Sequence, residues 1–198
     1  MIDLSATWIG VDEAGRGPLA GPVTAAAVVF FPGKVIAEVA DSKILSSKKR
    51  AGLEEKIKSQ AFRWGVGWAT PEEIDRLNIL QASLLAMRRA IAVCGMSGGI
   101  VLADGNQLPR SGYDEWAIVK GDSKVMEISA ASILAKEARD REMRRLDAIY
   151  PGYGLAGHMG YPTKKHCEAL MRLGATPIHR RSFAPVRLAI EAAGRQKS

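Results

Sequence analysis

Three short apolar runs of this chain each lead into a carboxylate, and no other feature limits its fold so tightly. Trp8-Ile9-Gly10-Val11 leads into Asp12-Glu13, and Ile100-Val101-Leu102-Ala103 leads into Asp104. Ala117-Ile118-Val119 is followed, after Lys120-Gly121, by Asp122. Runs of this length and apolar character read as buried strands. If such strands lie side by side, their ends share one edge of a sheet, and four acids far apart in the chain meet there. Carboxylates gathered in this way repel and raise one another's pKa. Hard divalent cations relieve that repulsion, and a donor set made only of oxygen suits Mg2+ or Mn2+. Any single strand-end acid reads as well as a turn former or helix cap, and Asp122-Ser123 ahead of a helix fits a cap. Three coincident cases shift the balance to a cation site.

Around these acids the chain is basic. Lys and Arg number 28 against 21 Asp and Glu, a formal charge of +7. That excess favours a polyanionic partner such as nucleic acid, although charge alone serves solubility equally well. Negative charge gathered at a cation site within a basic surface suits phosphodiester hydrolysis. The surface holds the strand, and the ions neutralise the scissile phosphate. Two cysteines, Cys94 and Cys167, without CxxC spacing argue against a disulfide framework. Three histidines, His158, His166 and His179, are too few and too scattered for a zinc signature. There is no Ser-His or Cys-His arrangement and no phosphate-cradling GxxxxGK motif. The N-terminus lacks the basic and apolar regions of a signal peptide, and the longest apolar stretch, residues 23–31, is too short to span a bilayer. A soluble protein of a reducing, cytoplasmic compartment is expected.

The pattern of elements points to an α/β fold. Strands are expected over residues 7–13, 22–31, 35–39, 62–69, 100–104 and 117–119, with a Gly/Pro-rich turn over 15–22. Ser46 or Ser47 can cap a helix running through Ala61. Thr70-Pro71-Glu72-Glu73 combines a capping box with proline at the first helical position. A helix should start there, break near Asn78 and resume to about Cys94. A long helix over residues 125–149 would bury the stripe Ile128, Ala131, Ala135 and Ala138. Helices over 162–173 and 186–193 complete the expectation. Strands first and helices later, with βα alternation between, describe a mixed sheet flanked by helices. We expect one catalytic domain over residues 1–198, with a C-terminal helical extension from about residue 150.

The segment Asp12-Glu13-Ala14-Gly15-Arg16-Gly17-Pro18-Leu19-Ala20-Gly21-Pro22 resembles the opening motif of the ribonuclease HII family. Further similarity lies in Asp41-Ser42-Lys43, Leu77-Asn78-Ile79-Leu80, Asp104-Gly105-Asn106 and Val119-Lys120-Gly121-Asp122-Ser123. It continues through Ile128-Ser129-Ala130-Ala131-Ser132-Ile133-Leu134-Ala135-Lys136, Arg139-Asp140, Gly160-Tyr161-Pro162-Thr163 and His179-Arg180-Arg181-Ser182-Phe183. Order, spacing and number together make the resemblance specific.

The resemblance implies a ribonuclease H-like mixed sheet with additional C-terminal helices. It implies a metal-dependent endonuclease acting on RNA–DNA hybrids and on ribonucleotides embedded in duplex DNA, with 5'-phosphate and 3'-hydroxyl products and a part in ribonucleotide excision repair. Asp12, Glu13, Asp104 and Asp122 match the family's catalytic, metal-binding carboxylates, with Mn2+ or Mg2+ as a two-metal site in the substrate complex. Gly15, Arg16 and Gly17 match the GRG motif whose backbone approaches the ribose 2'-hydroxyl. Tyr161 matches a tyrosine that packs on the sugar at the junction, and Lys43 and Asn78 match positions that contact backbone phosphates. A monomer working without a membrane is expected.

Two positions depart from the family pattern. Ile44 stands where many relatives carry a second lysine, which weakens one phosphate contact, and Ala103 replaces a branched residue. The GTG-bearing ribonuclease HIII type is disfavoured by Arg16. Gly194 to Ser198 shows no apolar-aromatic clamp-binding motif. Beside this reading stand two rivals: a junction-cutting nuclease of the same fold, and a catalytically silent nucleic-acid-binding module. For Tyr161 a core position with a bonded hydroxyl competes with the sugar contact. The basic run Lys43, Lys48, Lys49 and Arg50, and likewise Lys164, Lys165, Arg180 and Arg181, read either as solvated faces or as duplex contacts. The three histidines read as structural or phosphate-contacting ahead of catalytic.

Overall fold

The computed structural model describes residues 7–39 and 47–195. The strands among them are β1 (Trp8–Ala14), β2 (Val23–Val29), β3 (Arg63–Ala69), β4 (Ile100–Asp104) and β5 (Asp114–Ile118). They form one mixed sheet in the order β3-β2-β1-β4-β5. β1 is antiparallel to β2 and parallel to β4, and β4 is parallel to β5. The α-helices are α1 (Ser47–Gln60), α2 (Pro71–Leu77), α3 (Ile79–Cys94), α4 (Met126–Ile149), α5 (Leu155–His158), α6 (Lys164–Leu173) and α7 (Ala184–Arg195). The described residues divide into two compact units, the first drawn from residues 7–14, 24–39, 47–68 and 83–138, the second from 15–23, 69–82 and 139–195.

In the first unit the strand period decides what faces what. Trp8 pairs with Ile100 and Gly10 with Leu102, while Gly10 and Asp12 pair with Val28 and Ala26. These residues share one face. Along it Ala26, Val28 and Phe30 pack with Leu53 and Ile57 of α1 and with Ala130, Ala131 and Leu134 of α4. Gly10 permits this closeness, because a Cβ there would stand 2.2 Å from the backbone of Glu127. Ile9, Val11, Val101 and Ala103 point to the other face and are fully buried. α3 covers that side at β3. Val66 joins the α1 and α4 cluster, so its neighbours Gly65 and Gly67 face away from it. A Cβ on them would meet the Ala90 and Ala86 carbonyl oxygens at 2.5 and 2.2 Å.

The second unit has its own core of Leu19, Met143, Leu155, Leu170, Val186 and Ala189 among others. The Gly/Pro-rich segment after β1 is held here by backbone bonds. Leu19 N–H donates to the Gly160 carbonyl (2.8 Å), Gly21 N–H to Ile178 (2.9 Å), and Arg180 N–H to Leu19 (2.8 Å). The capping box forms as expected: Thr70 Oγ1 accepts from Glu73 N–H and Glu73 Oε2 accepts from Thr70 N–H. Asn78, at φ 72°, ends α2.

Three expectations are corrected. Residues 35–39 are not a strand: Ala37–Val39 is a 3-10 turn. Ile36 and Val39 are both buried, and residues three apart share a side only when the chain coils. β5 starts three residues before Ala117. Its acidic start and exposed Trp116 hid it, because an edge strand needs no apolar alternation. The helix expected from residue 162 starts at Lys164, with Thr163 as its cap, and the short α5 was not anticipated. The stripe Ile128, Ala131, Ala135 and Ala138 is buried as foreseen.

Candidate active site

The carboxylates lie in the first unit. One step beyond the last paired positions of β1 and β4, Val11 and Ala103, come Asp12 and Asp104, on the same face. Asp12 Oδ1 accepts from the Glu13 amide at 2.7 Å. Asp104 Oδ1 accepts from the Gly121 amide at 2.6 Å, with the Asp122 amide at 3.4 Å. That contact brings the connection after β5 back onto the end of β4. Lys120 adopts a left-handed conformation (φ 57°) to make the turn. Gly121 fits because a Cβ there would meet Ile128 Cδ1 at 2.6 Å.

Asp12 registers the gathering electrically. It is 7% exposed. Burial, first, and then the carboxylates of Glu13, Asp104 and Asp122 hold its pKa well above the ordinary 3.8, against a smaller lowering by the Glu13 amide. The four acids named from the sequence therefore share one electrostatic neighbourhood. In charge and donor chemistry this fits a hard divalent cation, which would relieve both causes of the shift. Among the described residues no three His, Cys, Asp or Glu side chains are arranged as a finished metal cage. The fit is one of charge and oxygen donors, and the ligand geometry is not closed.

The GRG turn and Tyr161 lie together in the second unit. Arg16 and Gly17 are exposed and Gly15 is buried. A Cβ on Gly17 would touch the Tyr161 ring at 3.4 Å, an ordinary contact. Tyr161 is 44% exposed and does not fill a core gap. Gly15, at φ 94°, is needed for an internal reason: a Cβ there would lie 2.0 Å from Arg139 Nε. The missing Cβ at Gly15 makes room for the Arg139 side chain. Asn78 is exposed, and its Oδ1 accepts from the Gln81 amide at 3.1 Å, capping α3. Only its amide nitrogen is left for a phosphate. Lys43 lies outside the described residues.

Sequence reasoning missed two buried guanidiniums. Arg139 and Arg180 are 1% and 0% exposed. Arg139 donates to the carbonyls of Pro22, Met159 and Ala20 at 3.1, 3.0 and 3.2 Å. Arg180 donates to those of Gly21, Arg16 and Gly15 at 3.0, 2.9 and 2.7 Å. Arg180 is therefore no surface phosphate contact. The one signal for Arg139 was its place at the end of the buried stripe of α4. For Arg180, beside Arg181 in a loop, there was none.

Two of the three histidines, His166 and His179, are buried and hydrogen-bonded to each other, and their other partners set the tautomers. His179 Nδ1 accepts from the Thr176 amide at 3.1 Å, so its proton sits on Nε2. That N–H donates to His166 Nε2 at 3.3 Å. His166 then carries its proton on Nδ1 and donates to the Tyr161 carbonyl at 2.9 Å. His158 stacks on His166 with ring centroids 4.5 Å apart. Burial pushes the His179 pKa down to about 4, helped by His166, and burial also lowers His166. Both stay neutral, and the role is structural.

A family model described as Ribonuclease HII matches residues 9–186. A Ribonuclease HII of Cupriavidus pinatubonensis (strain JMP 134 / LMG 1197) is 58% identical over 185 residues, covering 91% of this chain and 85% of that protein. The crystal structure of the ribonuclease H2 from Pyrococcus horikoshii OT3 matches with a TM-score of 0.76 at 29% identity, over 93% of this chain and 97% of that one. The PCNA:RNase HII complex from Archaeoglobus fulgidus matches with a TM-score of 0.74 at 26% identity, over 88% of this chain and 93% of that one. The mixed sheet with flanking helices is a ribonuclease H-like fold. No helix among the described residues is long and apolar enough to cross a membrane.

Proposed function

Given that the chain belongs to the ribonuclease HII family and is an endoribonuclease, we propose that it hydrolyses the RNA strand of RNA–DNA hybrids and cuts at ribonucleotides embedded in duplex DNA. The products carry 5'-phosphate and 3'-hydroxyl ends, and the reaction depends on Mn2+ or Mg2+. The observation that supports this reading above the others is the convergence of the acids: Asp12 and Asp104 follow paired positions of adjacent parallel strands, and the Gly121 amide ties the turn that carries Asp122 to Asp104.

A bound divalent pair supplies an activated water and neutralises charge at the leaving oxygen. Asp12, Glu13, Asp104 and Asp122 are the residues that would hold that pair. Asp12 and Asp104 would do so from one face of the sheet, and the hydrogen bond donated by the Gly121 amide to Asp104 Oδ1 orients that carboxylate. The backbone of Gly15, Arg16 and Gly17 takes the 2'-hydroxyl, which both donates and accepts hydrogen bonds, and so tells RNA from DNA without reading a base. Tyr161 packs on the sugar beside Gly17. Arg16, Lys43 and the Asn78 amide take phosphates. The enzyme works as a monomer in the cytoplasm, in ribonucleotide excision repair.

The test is a DNA duplex carrying one ribonucleotide, offered with Mn2+, with Mg2+ and with neither, and the cut mapped to the nucleotide. Metal-dependent cleavage at the ribonucleotide is expected. Cleavage only of branched all-DNA substrates, or binding without any product, would overturn the reading.

A further inference from the structure

We infer that Arg180, a residue with no direct reach to substrate in this reading, positions the ribose-recognising turn by setting the direction in which its amides point. The inference rests on the proposal that Gly15, Arg16 and Gly17 take the 2'-hydroxyl, and it names what makes them able to do so. The geometry is that of the peptide unit. Every peptide bond among the described residues is trans, and in a planar trans unit C=O and N–H point in opposite directions. Arg180 Nη2 and Nη1 draw the Gly15 and Arg16 carbonyls inward, at 2.7 and 2.9 Å. The N–H groups of Arg16 and Gly17 must then point away from the guanidinium. Arg180 is fully buried while Arg16 and Gly17 are exposed, so away from Arg180 is toward solvent.

The arrangement needs a buried arginine. Its planar fork places two donors side by side at a fixed spacing, and a third, Nε, holds the Gly21 carbonyl at 3.0 Å at the other end of the segment. Arg139 repeats the device on Ala20 and Pro22. Two guanidiniums thus hold five carbonyls of the segment 15–22, and the turn is rigid before any substrate arrives. Burial lowers the Arg180 pKa to about 9, with Arg139 adding to the shift and Asp75 opposing it. The charge is still held at neutral pH, so the underside of the turn is cationic as well as rigid. A lysine keeps the charge without the fork.

Equilibrium binding without metal separates positioning from mere folding. Two DNA duplexes are compared, identical except that one carries a single ribonucleotide. For the wild type the ribonucleotide duplex binds more tightly. In Arg180→Lys that preference falls by roughly tenfold, about the worth of one well-made hydrogen bond, while affinity for the all-DNA duplex holds. A purely structural role would weaken both duplexes alike, leave the ratio unchanged and overturn the inference. If Arg180→Lys does not fold, amide exchange at Gly17 in the wild type decides. Exchange is fast in the free protein and slowed by the ribonucleotide duplex alone, whereas a Gly17 amide already protected in the free protein sinks the idea. A wild type with no preference for the ribonucleotide duplex removes the ribose reading itself, and this inference with it. A preference that survives Arg180→Lys removes only the inference.

Discussion

Replacing His179 with glutamine should flatten the acid side of the stability profile. His179 is 1% exposed and its native pKa is lowered to about 4 from 6.5, chiefly by burial. A depressed histidine pKa means that the unfolded chain takes up the proton first. The stability contributed by the neutral ring is complete above pH 6.5 and is lost as pH falls from there toward 4, below which both states are protonated. The linkage relation gives a loss of about 2 kcal/mol by pH 5 and about 3 kcal/mol near pH 4. Asp12 acts in the opposite sense, since a raised carboxyl pKa makes the native state more stable as pH falls toward the ordinary 3.8. The wild-type curve alone therefore mixes the two. The comparison that isolates His179 is urea unfolding of wild type and His179→Gln at pH 7.5, 6.5, 5.5 and 4.5, because both proteins carry Asp12. The wild type should lose stability faster on acidification, with the gap closing by about 2–3 kcal/mol toward the low end. Parallel curves would refute the assignment of a neutral, buried His179.

Asp12→Asn should lower cleavage by more than about 100-fold, since even the outer partners of metal ligands are worth 10–100-fold, and leave hybrid binding largely intact. The same variant should be more stable than wild type at neutral pH without metal, having lost a buried charge among like charges; a less stable protein by urea titration would contradict the clustered carboxylates. Saturating Mn2+ should raise the melting temperature of the wild type, by an amount equivalent to about 2.7 kcal/mol at one hundred times Kd, and no shift would count against the site. Gly15→Ala should cost roughly 1–3 kcal/mol more than Gly33→Ala. Both glycines have positive φ, but a Cβ at Gly33 meets nothing within 4 Å while one at Gly15 collides with Arg139; equal losses in chemical denaturation would exclude the collision.

The acids were legible because strand ends are legible. An apolar run stops where a carboxylate begins, and parallel neighbours place their ends together. The sharing of a face by Asp12 and Asp104, with Glu13 turned to the other, follows from the period of two once the register is known. The capping box at Thr70 was visible for a different reason, being a purely local device. What could not be seen depended on contacts distant in sequence. Ile36 and Val39 read as strand because their joint burial against α1 and α4 exists only in the folded unit. Arg180 beside Arg181 read as a basic pair because arginine is normally exposed, and nothing local distinguishes the one that lies beneath the GRG turn. The space that a side chain at Gly15 would take is filled by Arg139, more than a hundred residues away, a contact that no local pattern reveals.

The pairing of β1 with β4 ties the chemistry to the fold. Ile9 and Val11 are dry because Val101 and Ala103 lie opposite them on the covered side. Slipping β4 by a single residue would carry Asp104 across to the side where those apolar groups now sit and leave Asp12 without its companion. A change that loosens this pairing would therefore disable the protein before it unfolds it. Substitutions at Val101 or Ala103, whose side chains point to the face opposite Asp104, are the places where a purely packing lesion should look like the loss of a ligand.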